Sequence, residues 1–185
     1  GRTAAIDYRE MAPAAAFHDV YLHADGTPDT TASRYGPRAS GVPGTVAGLA
    51  YARRRYGTRP WAELVEPARR LAAQGFPVGR PLRLSLLGDS ANLSRFPEAR
   101  RIFLRDGRPY EEGEVFRQPE LAATLERLKL RGADDFYRGR TAQLIVAAMK
   151  SAGGWNTAED LAAYRVVERT PLTGPYRGVE IVTMP

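Results

Sequence analysis

Arg9 is the residue whose type and position point most directly to chemistry. It stands with Glu10 at the exit of a short alternating stretch, residues 3–9, with Asp7 two positions before it. A guanidinium offers a rigid planar fork of N–H donors, which holds a carboxylate through two parallel hydrogen bonds where a lysine ammonium cannot. Two uses fit these residues taken alone. The plainer is a structural ion pair to Glu10 or Asp7, and the other is a contact to a substrate carboxylate.

Other reactive types lead to less. His18 and His23 are five apart, so a helix would put them on different sides, and no thiol or tight carboxylate cluster completes a metal site around them. They read as two separate polar residues, and neither a metal nor a cofactor is expected. Asp134 and Asp135 are adjacent, as an acid and base pair could be, but at a helix start Asp reads first as a cap for free backbone N–H groups. The stretch Gly41-Val42-Pro43-Gly44-Thr45-Val46-Ala47-Gly48 precedes a helix in the manner of a phosphate cradle. A P-loop would need Lys then Ser or Thr after its last glycine, and a dinucleotide fingerprint should leave a strand; Leu49 and Ser40 meet neither condition. Pro43 therefore reads as fixing φ, with Gly44 and Gly48 letting a helix start tightly against a neighbour.

The elements that must position these residues follow from periodicity. Residues 3–9 read as a half-buried strand, with Ala4, Ile6 and Tyr8 on one side and Thr3, Ala5, Asp7 and Arg9 on the other. Asp25-Gly26-Thr27-Pro28 is a turn within a surface excursion. Val46, Leu49 and Ala50 start a helix that runs to about Tyr56 and stops at Gly57. Trp61, Leu64, Val65, Ala68, Leu71 and Ala72 share a helical face up to Gly75, with a break expected near Glu66 because of Pro67. Residues 79–113 are less regular: Leu82, Leu84, Leu86 and Leu87 cluster, and Asp106-Gly107-Arg108-Pro109 makes a turn. Further helices run from Pro119 to Gly132 and across Ala142, Ile145, Val146 and Met149 to Gly153-Gly154, followed by a short one capped by Thr157 with Asp160. Strands are expected over residues 164–168 and 176–184, linked through Thr173-Gly174. The order strand, helices, strands is an α+β pattern, mostly helical with strands at both ends.

Composition narrows the function classes. The chain has 185 residues, enough for one domain or a piece of a larger one, and its 43% hydrophobic and 26% charged residues are globular values. No apolar run approaches the roughly 20 residues that span a bilayer, so no membrane segment is expected. There is no cysteine, which removes disulfides, thiolate nucleophiles and Cys-based metal sites. The net charge is +6, from 27 basic and 21 acidic residues. The basic residues are almost all arginine and scattered; Arg53-Arg54-Arg55 is a short run that reads as a solvated helix face, so nucleic acid is not an expected partner.

Two stretches, Ala5-Ile6-Asp7-Tyr8-Arg9-Glu10-Met11-Ala12-Pro13 and Ser40-Gly41-Val42-Pro43-Gly44-Thr45-Val46-Ala47-Gly48, resemble signature segments of the γ-glutamyltransferases, the glutathione hydrolase family. Further matches follow in the same order. They are Pro67-Ala68 with Leu71-Ala72 and Gly75-Phe76, then Asp135-Phe136-Tyr137-Arg138-Gly139, then Asp160-Leu161-Ala162-Ala163-Tyr164 with Arg169-Thr170-Pro171-Leu172. The resemblance covers nearly the whole chain and is weakest over residues 79–113.

What it implies is an N-terminal nucleophile hydrolase, a four-layered αββα sandwich made of a large and a small subunit cut from one precursor by autoproteolysis. Residues 1–185 would be a single interior segment of the large subunit, an incomplete domain. The threonine nucleophile, and the Pro-Pro-Ser-Ser-Gly-Gly stretch that in the family continues from Met184-Pro185, would lie elsewhere. The implied reaction is attack of that hydroxyl on a γ-glutamyl amide such as glutathione, with transfer of the acyl group to water or to an amine. By resemblance, Arg9 matches the arginine that binds the substrate's α-carboxylate, and Glu10 supports it. Thr45 and Thr141 match no nucleophile motif, so the catalytic group is expected outside this chain and the segment alone is expected to be inactive. The resemblance also implies a periplasmic or secreted protein. Two other readings stay open: a related acylase acting on a cephalosporin side chain or poly-γ-glutamate, and a non-catalytic scaffold of the same fold.

Overall fold

The computed structural model describes residues 3–185. Residues 1–2, which hold the chain start and Arg2, one of the scattered arginines, lie outside the described residues. In chain order come β1 (Ala5–Asp7), α1 (Thr45–Tyr56), α2 (Trp61–Gln74), β2 (Phe76–Pro77), α3 (Arg80–Arg95) and α4 (Pro97–Phe103). The next are β3 (Leu104–Arg105), β4 (Arg108–Pro109), β5 (Val115–Phe116), α5 (Pro119–Arg131) and α6 (Asp134–Arg138). The last are α7 (Arg140–Ala152), α8 (Ala158–Ala163), β6 (Val167–Arg169), β7 (Leu172–Tyr176) and β8 (Val179–Thr183). They fall into two compact units, residues 1–61 with 131–185, and residues 62–130.

In the first unit β1 pairs antiparallel with β6, Ala5 opposite Arg169 and Asp7 opposite Val167. β1 is three residues long rather than seven. The Asp7 carboxylate turns back to accept the Arg9 N–H at 3.3 Å, a local side-chain-to-backbone bond that competes with the ladder and ends the strand. The core beside it is Val42, Tyr137, Ala142, Leu161 and Tyr164, with Val46, Phe136, Ile145 and Val166 packed against it. Two phenols of α1, Tyr51 and Tyr56, donate to the Glu168 carboxylate of β6 at 2.5 and 2.8 Å, tying that helix to the strand. Residue 164 caps the end of α8 instead of opening a strand. The final reversal lies at Arg177-Gly178, whose φ values of 47° and 81° suit a two-residue hairpin turn. Thr173-Gly174 sit inside β7 instead. All five residues of β8 are exposed.

The expected cap at Asp134-Asp135 is real but belongs to the next helix. Asp135 is buried; one of its oxygens accepts the Arg140 N–H at the first residue of α7, and the other accepts the Thr141 hydroxyl. Thr157 and Asp160 form both halves of a capping box on α8. Asp160 also accepts the Ala14 N–H at 2.9 Å, which fastens the residues after Pro13 to that helix.

The second unit departs most from expectation. α2 is continuous through Pro67. The hydrogen bond that proline removes would have joined it to Glu63, and both residues are exposed, so its loss on the outer side of the helix does not force a break. The irregular stretch contains α3 and α4. Their periodic signal is weak, because Ser85, Gly88, Ser90 and Ser94 are poor helix formers and only Leu86 of the leucine cluster is buried. The signal that marks them is a proline in each first turn, Pro81 and Pro97. Asp106 and Gly107, both at positive φ, close the β3–β4 hairpin, so the predicted turn holds one residue earlier in the chain. Phe76, Phe103 and Tyr110 gather around Phe116 at centroid distances of 5.2 to 6.0 Å.

Two carboxylates organise ion networks in this unit. Glu66 accepts from Arg69 and Lys129, which hold its carboxyl at a pKa of about 2. Glu114 accepts from Arg108 and from the Glu111 N–H, and is likewise held at about 2. Because both folded values lie below the ordinary 4.5, their support is complete above that pH and disappears as pH falls toward about 2. Urea unfolding midpoints measured downward from about pH 5 should therefore fall, and Glu66→Gln should flatten the fall.

Candidate substrate-binding site

The first two family-like stretches, far apart in sequence, meet at one place. Met11 and Val42 exchange backbone hydrogen bonds at 3.1 and 2.7 Å, a single antiparallel bridge that lays residues 40–48 alongside the residues after β1. The contact is close because glycines allow it. A Cβ on Gly44 would come within 2.1 Å of the Tyr8 carbonyl oxygen, and one on Gly48 within 2.2 Å of the Tyr8 ring. This is the tight helix start expected of Gly44 and Gly48, and it agrees with the rejection of a phosphate cradle, since the Ala47 N–H at the head of α1 is already taken by the Tyr137 hydroxyl.

Between these stretches opens a pocket of about 660 Å³ lined by Ile6, Asp7, Tyr8, Arg9, Glu10, Gly41, Pro43, Gly44, Thr45 and Met184. Arg9 stands on its rim with 82% of its side chain exposed. Its guanidinium has one charged partner among the described residues, the Glu10 carboxylate at 3.2 Å. A single exposed contact of this kind is weak and leaves most of the fork free. Asp7, the other carboxylate considered for Arg9, is engaged by Arg169 of β6 at 2.7 Å, which with the Arg9 N–H lowers the Asp7 pKa. Glu10 is lowered by its own N–H and by Arg9. Both carboxylates therefore stay ionised, while Arg9 combines an anchored backbone with an exposed cationic tip at the opening.

Two aromatic residues that sequence reading quoted but gave no role hold the walls. Tyr164 donates to the Arg9 carbonyl at 2.7 Å, and Tyr137 donates to the Pro43 carbonyl at 2.8 Å. Their rings stack at 5.7 Å with 16° between planes. Burial raises both phenol pKa values, and the charges of Asp7 and Glu10 add to the rise at Tyr164, so both remain donors at neutral pH. Met184, also unassigned from sequence, supplies an apolar flank. The pocket lining includes no histidine, lysine or cysteine; with Arg9 at its rim the arrangement can bind and orient an anion. His18 and His23 lie outside this pocket, and the His18 ring meets the carboxylate of its neighbour Asp19. Among the described residues no group of three or more His, Asp or Glu side chains could hold a metal ion, and no helix is long and apolar enough to cross a membrane.

Comparison with known proteins follows the same pattern. The sequence signature of the family described as Gamma-glutamyltranspeptidase matches residues 1–185. The chain is 44% identical over 187 residues to the glutathione hydrolase proenzyme of Escherichia coli strain K12, covering 100% of this chain and 32% of that protein. It thus spans about a third of the length of that curated relative. Among solved structures, Helicobacter pylori gamma-glutamyltranspeptidase superposes with a TM-score of 0.97 at 37% identity, over 100% of this chain and 53% of that one. The cephalosporin acylase of Bacillus halodurans is more distant, at a TM-score of 0.80 and 27% identity over 98% of this chain and 35% of that one. The expected fold class is borne out: a largely helical α+β segment of the N-terminal nucleophile hydrolase fold. On signature, sequence identity and fold together, the chain belongs to the gamma-glutamyltranspeptidase family.

Proposed function

We propose that residues 1–185 are a single segment of the large subunit of a γ-glutamyltransferase or glutathione hydrolase, in which Arg9 binds the α-carboxylate of a γ-glutamyl substrate and Glu10 helps hold Arg9 in place. The observation that carries this reading is the exposed guanidinium of Arg9, paired with Glu10 at the rim of a pocket walled by the two family-like stretches. In the reaction, a threonine hydroxyl from a small subunit of the same precursor attacks the γ-carbonyl, with its own amine as base, and the acyl group passes to water or an amino acid. This chain's part is to bind and aim. Two parallel hydrogen bonds from Arg9 to the α-carboxylate fix one end of the glutamyl group, so that the γ-carbonyl, three bonds from the α-carbon, meets the nucleophile in a narrow range of orientations. Glutathione is the natural substrate class, and a periplasmic or secreted setting accompanies it.

The related acylases are the second reading, favoured by the Bacillus halodurans likeness. A substrate without an α-carboxylate would leave Arg9 nothing to grip, and this separates the two. In the full protein, release from a chromogenic γ-glutamyl anilide should be inhibited competitively by free glutamate, and far less by 4-aminobutyrate, which is glutamate without its α-carboxylate. Equal inhibition by the two, or by neither, would count against this function. The separate 185-residue segment should turn over nothing.

A further inference from the structure

The guanidinium of Arg9 touches no buried group, so its position depends on what holds its backbone. That hold is specific. Tyr164, only 6% exposed, reaches from the end of α8 to donate its hydroxyl to the Arg9 carbonyl at 2.7 Å, 155 residues away in sequence. Its ring lies on that of Tyr137, whose hydroxyl grips the opposite wall at Pro43 and Ala47. The path of the Tyr164 hydroxyl passes Gly44, where a Cβ would stand 1.9 Å from that oxygen. One stacked pair therefore clamps both sides of the pocket by their main chains, without touching the Arg9 fork, whose ion pair among the described residues is with Glu10 alone.

We propose that Tyr164 is a positioning residue for substrate recognition, fixing the Arg9 main chain so that the guanidinium meets the substrate carboxylate. The proposal rests on the reading of Arg9 given above. A tyrosine that only fills the core would affect every substrate alike, whereas one acting through Arg9 affects only substrates that carry the carboxylate.

The experiment uses the full protein and two substrates, a γ-glutamyl anilide and the 4-aminobutyryl anilide that lacks the α-carboxylate. Phenylalanine at 164 keeps the ring and its stacking. Tyr164→Phe should lower the ratio of kcat/KM for the first substrate over the second by about fivefold, mainly through KM, the size expected from one lost hydrogen bond. Arg9→Ala should lower the same ratio further, and adding Tyr164→Phe to Arg9→Ala should change it no more. Installing 4-aminophenylalanine at 164, which still offers an N–H to the carbonyl, should keep the ratio near wild type, and it supplies the answer if the Phe variant does not fold. An unchanged ratio in Tyr164→Phe, or full additivity with Arg9→Ala, overturns the role of Tyr164 while leaving Arg9 intact. A 4-aminophenylalanine ratio as low as that of Arg9→Ala overturns it too. A ratio unmoved by Arg9→Ala instead overturns the Arg9 reading, and Tyr164 falls with it.

Discussion

Arg9→Ala in the full protein is expected to lower kcat/KM for a γ-glutamyl anilide by about tenfold to a hundredfold, the range set by losing hydrogen bonds to a charged group. The loss should fall mainly on KM. Arg9 grips a part of the substrate that does not react, so its contacts are present before the transition state and largely kept within it. Arg9→Lys should restore only part of the loss, because an ammonium returns the charge without the planar pair of donors. The exposed Glu10 contact does not compete seriously: at 3.2 Å, with 60% of the Glu10 side chain exposed, it is readily exchanged for a ligand carboxylate. Steady-state kinetics on the two variants decide the matter, and an Arg9→Ala enzyme with wild-type KM and kcat removes Arg9 from the site.

The second large effect is on stability. Gly44→Ala should destabilise the protein by about 3 kcal/mol, at the upper end of what overpacking costs. The backbone is not the reason, since Gly44 has φ of −105° and ψ of −14°, open to any residue. The cause is space: the new methyl carbon would stand 1.9 Å from the buried Tyr164 hydroxyl and 2.1 Å from the Tyr8 carbonyl oxygen. One of these is main chain, and the other is a side chain fixed by stacking, so neither can yield cheaply. Gly88→Ala is the contrast, because that helical glycine has nothing within 4 Å of an added Cβ. It should stabilise by about 0.5–1 kcal/mol through the lower entropy of its unfolded chain. Urea denaturation of both variants measures the difference, and a Gly44→Ala midpoint equal to wild type would mean the clamp is looser than its distances imply.

Local signals made some parts of this fold legible and non-local contacts hid others. Gly57, Gly132 and Gly153 announced where α1, α5 and α7 stop, and the Thr157–Asp160 spacing announced a cap, because each of these acts within one turn of chain. Arg9 could be singled out for the same reason, as a fork-shaped cation leaving a strand. Leucine spacing in α3 misled because most of that helix faces outward, so burial never imposed a periodic stripe. Pro67 does not break α2 because the hydrogen bond it removes lies on an exposed side of the helix. Tyr137 and Tyr164 could not be assigned from their own neighbourhoods at all. Their hydroxyls meet carbonyls 94 and 155 residues distant, and nothing in the surrounding residues says which main-chain oxygen a phenol will find.

The β7–β8 hairpin carries a practical consequence. Leu172, Val179 and Ile181 are exposed on one face of two paired strands, an apolar surface with open edges and little charge to repel a second molecule. Purified as 185 residues, the polypeptide should stick to itself edge to edge before it reaches concentrations useful for spectroscopy, with light scattering rising ahead of any loss of helix signal. A lysine in place of Ile181 would be the smallest remedy, since one charge facing outward on such a seam is enough to discourage stacking.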